Sequence, residues 1–362
     1  MQYLRYLFLF TVCVILSQCD EYSHPSVVEN QYTEWKHYLG DPGRSHYSQL
    51  SEFTSKNINS LKVAWEYESK DYGQMQMNPI VVDTLLYGVS SALRVFALDA
   101  RSGEEVWVFG DTLKTLFSTS RGVSYWELGN DKRIFYTKGS DLWALNAHTG
   151  QPIPSFGKGG KIDLRSGLPA SALYKFVISS TPGTIYKNLI IMSLRLSEGV
   201  GAAPGDVMSF DVITGELAWS FHTIPRPGEM GIETWGDPNI SESPIVGAAN
   251  NWAGMALDQE REILYVPTGS AAPDFYGAMR PGKNLYSNCL LALNANTGKL
   301  LWHYQFIHHD LWDRDPPAPP NLITINRGGH IIPAVAQVTK QGYVFVFDRE
   351  TGRPLFDIEE LA

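Results

Sequence analysis

The densest concentration of proton-transferring and aromatic side chains in the 362-residue chain is His308-His309-Asp310-Leu311-Trp312-Asp313. It is followed by the stiff run Pro316-Pro317-Ala318-Pro319-Pro320 and, further on, by Thr339-Lys340-Gln341-Gly342. A carboxylate such as Asp313 takes a proton from a hydroxyl only when its rotamer is held, and the neighbouring imidazoles and indole are the groups expected to hold it. A cation such as Lys340 can stabilise negative charge that develops on an oxygen. Taken alone, Asp313 also reads as a turn or salt-bridge carboxylate, and Lys340 as a solvated hairpin lysine. The three cysteines, Cys13, Cys19 and Cys289, include no C-x-x-C-H, which excludes a covalently attached c-type haem in this chain, and no paired Cys/His spacing suggests zinc. Cys289 reads as a small buried hydrophobe with no partner for a disulfide.

The elements that must carry these residues announce themselves as a repeat. Val95-Phe96-Ala97-Leu98-Asp99-Ala100-Arg101-Ser102-Gly103 with Trp107 recurs position for position as Leu290-Leu291-Ala292-Leu293-Asn294-Ala295-Asn296-Thr297-Gly298 with Trp302. Further copies are Met208-Ser209-Phe210-Asp211 with Thr214-Gly215 and Trp219, Leu142 to Asn146 with Thr149-Gly150, and Val346-Phe347-Asp348 with Thr351-Gly352 and Phe356. Leu61 to Tyr67, with Trp65, reads as an outer strand of one more unit. Each copy has the composition of a hairpin: a β-rich run, an Asp or Asn that can bond its own backbone, a Gly where φ > 0 is needed, and a second strand. A hairpin cannot bury its apolar face alone, whereas sheets packed radially can, so the spacing predicts an all-β propeller with one four-stranded sheet per blade. A β-sandwich with similar hairpins is the alternative. No helical periodicity persists after the N-terminal segment, and Pro225 to Asn251 and Ala271 to Ser287 read as long loops over the face where a site is built.

The charge balance of 29 Lys+Arg against 38 Asp+Glu, net −9, argues against sequence-independent nucleic-acid binding. Residues 1–19 form a separate object: Arg5, then an almost wholly apolar run from Tyr6 to Leu16, too short to span a bilayer. That is the pattern of a secretory signal. Leu16-Ser17-Gln18-Cys19 resembles a bacterial lipobox, with Gln18 departing from its usual small residue, so Cys19 is a candidate for lipidation beside an ordinary cleaved signal. Residues 20–362 are then the propeller. The last repeat is still running at Phe356, so a propeller truncated at the C-terminus is expected.

The repeat Ala97-Leu98-Asp99-x-x-Ser102-Gly103-x-x-x-Trp107 resembles the tryptophan-docking motif of pyrroloquinoline quinone (PQQ)-dependent dehydrogenases. The pair formed by His308 to Asp313 and Thr339 to Arg349 resembles the active-site block of the membrane glucose dehydrogenase group. The resemblance covers nearly all of residues 32 to 362. It implies an eight-bladed quinoprotein propeller, of which this chain would hold about five to six blades, exported to the periplasm and oxidising a glucose-like sugar or another alcohol. Electrons would pass to a quinone or a separate cytochrome.

Residue by residue, the resemblance places Asp313 on the catalytic aspartate and Lys340 on the basic residue that bonds the quinone oxygens. Trp252 falls on the indole stacked on the cofactor ring, and Arg121 on the arginine that binds a cofactor carboxylate. Gln76 and Ser179 fall on polar cofactor contacts, and an ordinary strand-end hydrogen bond is an equal reading of both. The implied divalent cation, Ca²⁺ or Mg²⁺, would take Glu198 and Asp313 as ligands. Ser270 stands where methanol-type enzymes carry a metal-binding Asn, and Thr119-Ser120 where alcohol dehydrogenases carry adjacent cysteines. The rival function is a non-catalytic envelope scaffold built from similar repeats, which would need neither His308 to Asp313 nor Lys340.

Overall fold

The computed structural model describes residues 34–111 and 119–360. The proposed signal and Cys19 lie outside them. Five antiparallel sheets follow one another along the chain, each a simple meander. The first comprises Ile80–Val82, Leu85–Val89, Val95–Asp99 and Glu105–Phe109; the second Ser124–Leu128, Asp131–Lys138, Asp141–Asn146 and Lys161–Asp163. The third comprises Thr184–Tyr186, Leu189–Met192, Val207–Asp211 and Leu217–Phe221; the fourth Ala256–Asp258, Ile263–Pro267, Cys289–Asn294 and Leu300–Gln305. The fifth has three strands, Asn321–Arg327, His330–Val338 and Val344–Asp348. The only helices among the described residues are 3₁₀ turns of three to five residues.

Alternation along the central strands stacks these sheets face to face. On the second sheet Ile134 and Tyr136 join the first sheet's Tyr87 and Val95 in one apolar cluster, while Phe135 between them joins Ile190 and Met208 of the third. Leu264 and Val266 face the third sheet, and Ile263 and Tyr265 face Val335 and Phe347 of the fifth. Because side chains alternate across a strand, a run apolar at every position must be buried on both faces, which is the packing of propeller blades.

The repeated turns lock neighbouring sheets. In each, the Asp or Asn side chain accepts backbone N–H bonds from the next residues but one and two, for example Ile213 and Thr214 on Asp211 Oδ1 at 2.8 Å each. The closing glycines all have φ between 68° and 78°, a left-handed conformation natural to Gly. The indole of the preceding unit lies directly on that glycine, so that a methyl group at Gly103, Gly150, Gly298 or Gly352 would overlap Trp65, Trp107, Trp219 or Trp302. Their Nε1–H groups donate to Ala100, Ala147, Ala295 and Arg349 carbonyls at 3.2, 2.9, 3.2 and 3.0 Å. Trp65 therefore docks as the repeat predicts, although Leu61 to Tyr67 forms no strand among the described residues.

The second sheet has no such tryptophan, and the structure shows its substitute. Arg133, 4% exposed, donates Nη1 to the Val212 and Ile213 carbonyls at 2.8 and 3.1 Å, and is held by Asp131. Arg133→Met should strand those carbonyls and the Asp131 charge, costing about 1–3 kcal/mol, measurable as a lower urea midpoint at unchanged m-value.

Residues 35–46 cross several sheets. Trp35 bridges Val81, the Pro42 carbonyl accepts from Leu257 N and the Gly43 carbonyl from Leu322 N. Buried Arg44 donates to Met255 O at 2.7 Å and Thr184 Oγ1 at 3.0 Å. Two short ribbons, Val177–Ile178 with Arg195–Leu196 and Gly247–Ala248 with Ala271–Ala272, bring loop segments to the site.

Candidate functional site

One cavity of about 370 Å³ gathers side chains from loops flanking each of the five sheets. Its lining includes Gln76, Thr119, Arg121, Trp252, Glu198, Asp313 and Lys340, together with Ser180, Arg195, Asn250, Ser270, Asp274 and Asp315. Volume and the mix of an aromatic face with convergent polar groups are those of a small-molecule site.

Trp252 is the pivot. Its indole N–H donates to Asp315 Oδ2 at 2.8 Å, and its carbonyl accepts from Thr181 Oγ1 at 2.7 Å. The Arg121 guanidinium lies over the ring, 5.5 Å from its centroid, and donates to Ser180 Oγ and Thr181 Oγ1 at 2.9 and 3.1 Å. The backbone repeats the link, since Arg121 N donates to Ser180 O at 2.7 Å.

Asp313 has φ of 53°. Lys340 reaches across to it, donating from Nζ to Oδ2 at 2.9 Å and to its carbonyl at 2.7 Å. Both side chains are about one-third exposed, so the pair faces the cavity and remains open to a ligand. The imidazoles do not hold Asp313, contrary to the expectation from sequence. His308 pairs with Glu360 at 3.3 Å, His309 bonds the Gly282 carbonyl at 2.8 Å, and Trp312 is 72% exposed. The stretch is a loop with positive φ at His309 and Asp313, and Lys340 is the side chain that holds the carboxylate.

Ser179 is not at the cavity. Its hydroxyl donates to Thr181 O at 3.1 Å and its carbonyl accepts from Thr137. Consecutive residues in an extended segment point to opposite sides, so the neighbouring Ser180 lines the wall instead. Ser270 is also committed internally: its hydroxyl lies 2.5 Å from Asp310 Oδ2 and 2.8 Å from Asp315 Oδ1, and its N–H donates to Asp315.

The acids that sequence reading missed are the buried ones. Asp274 is 4% exposed, with Oδ1 lacking any hydrogen-bond partner. Burial, then the charges of Asp315, Asp313 and Glu198, push its carboxyl up to about 8 against the opposing pull of Arg280. Burial likewise raises Asp315, partly offset by the Ser270 and Trp252 donors. Arg280, wholly buried, donates Nη2 to the Pro273, Asp274 and Asp310 carbonyls and so ties the Asp274 loop to the Asp310 loop. The one available signal was spacing: Asp315 follows Asp313 by two, and Asp274 sits in a loop already marked as site-building.

The PQQ glucose/ethanol/alcohol dehydrogenase β-propeller domain matches residues 35–362. The chain is 32% identical over 372 aligned residues to quinoprotein glucose dehydrogenase A of Acinetobacter calcoaceticus, covering 93% of this chain and 45% of that one. It is 33% identical to quinoprotein glucose dehydrogenase of Escherichia coli, covering 88% and 43%. The chain thus spans about half the length of the curated relatives it matches. Among solved structures, the quinohemoprotein alcohol dehydrogenase of Comamonas testosteroni superposes with a TM-score of 0.77 at 25% identity, over 90% of this chain and 49% of that one. The five stacked sheets, the docked tryptophans and this match over residues 35–362 together make the chain a member of the PQQ-dependent glucose/ethanol/alcohol dehydrogenase β-propeller family.

Proposed function

We propose that the cavity binds PQQ and a divalent cation and oxidises a glucose-like sugar or another alcohol. The observation that carries this is the convergence of Trp252, Arg121, Glu198, Asp313 and Lys340 on one 370 Å³ space. Trp252 offers a flat aromatic face with its indole N–H already anchored, and Arg121 offers a guanidinium suited to a carboxylate. Gln76 and Ser180 supply further polar contacts.

The residues also fit a cation. A buried carboxylate oxygen on Asp274 without a hydrogen-bond partner and three further acids, Glu198, Asp313 and Asp315, set four carboxyl groups against three side-chain cations in the cavity. Glu198 and Asp313 would hold the ion, hard oxygen donors suiting Ca²⁺ first and Mg²⁺ second. Among the described residues no three His, Cys, Asp or Glu converge as a complete metal site, so other oxygen donors would fill the shell.

When bound, PQQ supplies the two-electron acceptor that takes hydride from the substrate carbon. Asp313 accepts the hydroxyl proton at its carboxylate as that carbon becomes a carbonyl. Lys340 keeps the Asp313 carboxylate in one rotamer and presents its charge to the developing oxyanion. Electrons would leave to a quinone or a separate cytochrome, and the apolar run from Tyr6 to Leu16 after Arg5 supports export to the periplasm, with Cys19 as a candidate lipid anchor. No described helix is long and apolar enough to cross a membrane.

The test is an absorbance and tryptophan-fluorescence titration of the folded chain with PQQ in the presence of Ca²⁺, followed by dye reduction with glucose. Saturable binding, weakened about tenfold or more in Trp252→Ala, is the expected result. A folded chain that binds no PQQ would overturn the proposal.

A further inference from the structure

Three cations line the cavity, and two are already engaged. Arg121 is anchored through Nη1 to Ser180 and Thr181 and lies over the Trp252 ring, with the rest of its guanidinium left for a ligand, and Lys340 is paired with Asp313. The third, Arg195, has an exposed side chain that makes no hydrogen bond or ion pair among the described residues, although it lines a cavity holding four carboxylates. A guanidinium in such surroundings and without a partner is poised for an anion that arrives from outside.

Its position is set by backbone pairing. Arg195 sits opposite Ile178 in the ribbon formed by Arg195–Leu196 and Val177–Ile178. Two residues beyond Ile178 is Ser180, whose hydroxyl and carbonyl both hold Arg121. The segment Ile178 to Ser180 thus links the backbone of Arg195 to that of Arg121, and Arg121, Ser180 and Arg195 line the same cavity.

We infer that Arg195 is the second arm of a carboxylate clamp, pairing with a carboxylate of the quinone cofactor beside the one taken by Arg121. The inference rests on the PQQ reading above. PQQ carries three carboxylates, whereas Arg121 and the Asp313-bound Lys340 are only two side-chain cations, and Arg195 is the third that lines the cavity. Arg195 supplies the countercharge for the third carboxylate. It is a binding residue and takes no proton.

The test compares PQQ with its trimethyl ester, which keeps the tricyclic quinone and removes the charges, by fluorescence titration of the wild-type chain, Arg195→Ala and Arg195→Lys in Ca²⁺. Loss of one charged hydrogen-bonding partner predicts PQQ binding weakened about thirtyfold in Arg195→Ala, an intermediate value in Arg195→Lys, a shallower salt dependence, and ester affinity unchanged. Unaltered PQQ affinity in Arg195→Ala overturns the clamp and leaves the cofactor reading standing. Equal weakening of PQQ and ester also overturns it, because the effect is then not one of charge. Failure of the wild-type chain to bind either ligand overturns the cofactor reading itself, and the clamp with it.

Discussion

Replacing Asp313 by asparagine should lower kcat for sugar or alcohol oxidation by about 10²- to 10⁴-fold, the range of a lost general base, while PQQ still binds. Asparagine has nearly the shape of aspartate and can still accept from Lys340 Nζ, which reaches the Asp313 carbonyl as well as Oδ2. What it cannot do is take the substrate proton. The loss should therefore appear in kcat and kcat/KM together, as for an interaction made only in the transition state. Lys340→Met should act differently: it frees the Asp313 rotamer and removes a cation from the cavity, so both PQQ affinity and kcat should fall. An Asp313→Asn protein that binds PQQ and turns over at the wild-type rate would move the base to another carboxylate of the cavity.

The cation-free protein should lose stability as pH rises from about 4 towards 8, and Asp274 should be the cause. Its carboxyl is pushed up to about 8 in the folded chain from an ordinary 3.8. The folded state thus binds this proton more tightly than the unfolded state, so the stabilisation is complete below the ordinary value and disappears as pH climbs through 8. Asp274→Asn keeps the neutral form at every pH, and in the presence of a chelator it should be the more stable protein at pH 8. Ca²⁺ should reverse the comparison. It competes with the proton for the same acidic cavity, so its stabilisation should grow with pH, reaching about 2.7 kcal/mol at a hundredfold excess over its Kd. Thermal unfolding at pH 5 and pH 8, with Ca²⁺ and with chelator, reads all four corners. A chelated wild-type protein as stable at pH 8 as at pH 5 would remove Asp274 from this role.

These two experiments address different layers of one site. Asp313 and Lys340 form a pair open to the cavity, whereas Asp274, Asp310 and Asp315 lie behind them in a buried network with Ser270, Asn288 and Arg280. Buried carboxylates persist only with hydrogen bonds or a countercharge. Here Asp310 has Ser270, Asn288 and the Arg314 N–H, and Asp315 has Ser270 and Trp252. The partnerless oxygen of Asp274 is the exception, which is why it carries the pH prediction.

Much of this protein was legible in the residues alone. The Asp/Asn-x-x-Ser/Thr-Gly spacing foretold five turns, because it is a local device: a side chain bonds its own backbone and Gly takes positive φ, with an indole four residues later in three of the five. Because a hairpin cannot bury its apolar face alone, the same repeat foretold sheets packed against one another. Asp313, Lys340, Trp252, Arg121, Glu198 and Gln76 could be nominated by resemblance and are gathered at one cavity. What only the tertiary structure decided depends on contacts between residues far apart in sequence. Arg133 replaces a docking indole from 79 residues away, Ser180 rather than Ser179 meets Arg121 because of strand facing, and Lys340 holds Asp313 where the neighbouring imidazoles were expected to. The charge state of Asp274 belongs to the same class, since burial and three acids from two other loops set it, and no spacing along the chain encodes a distance through space.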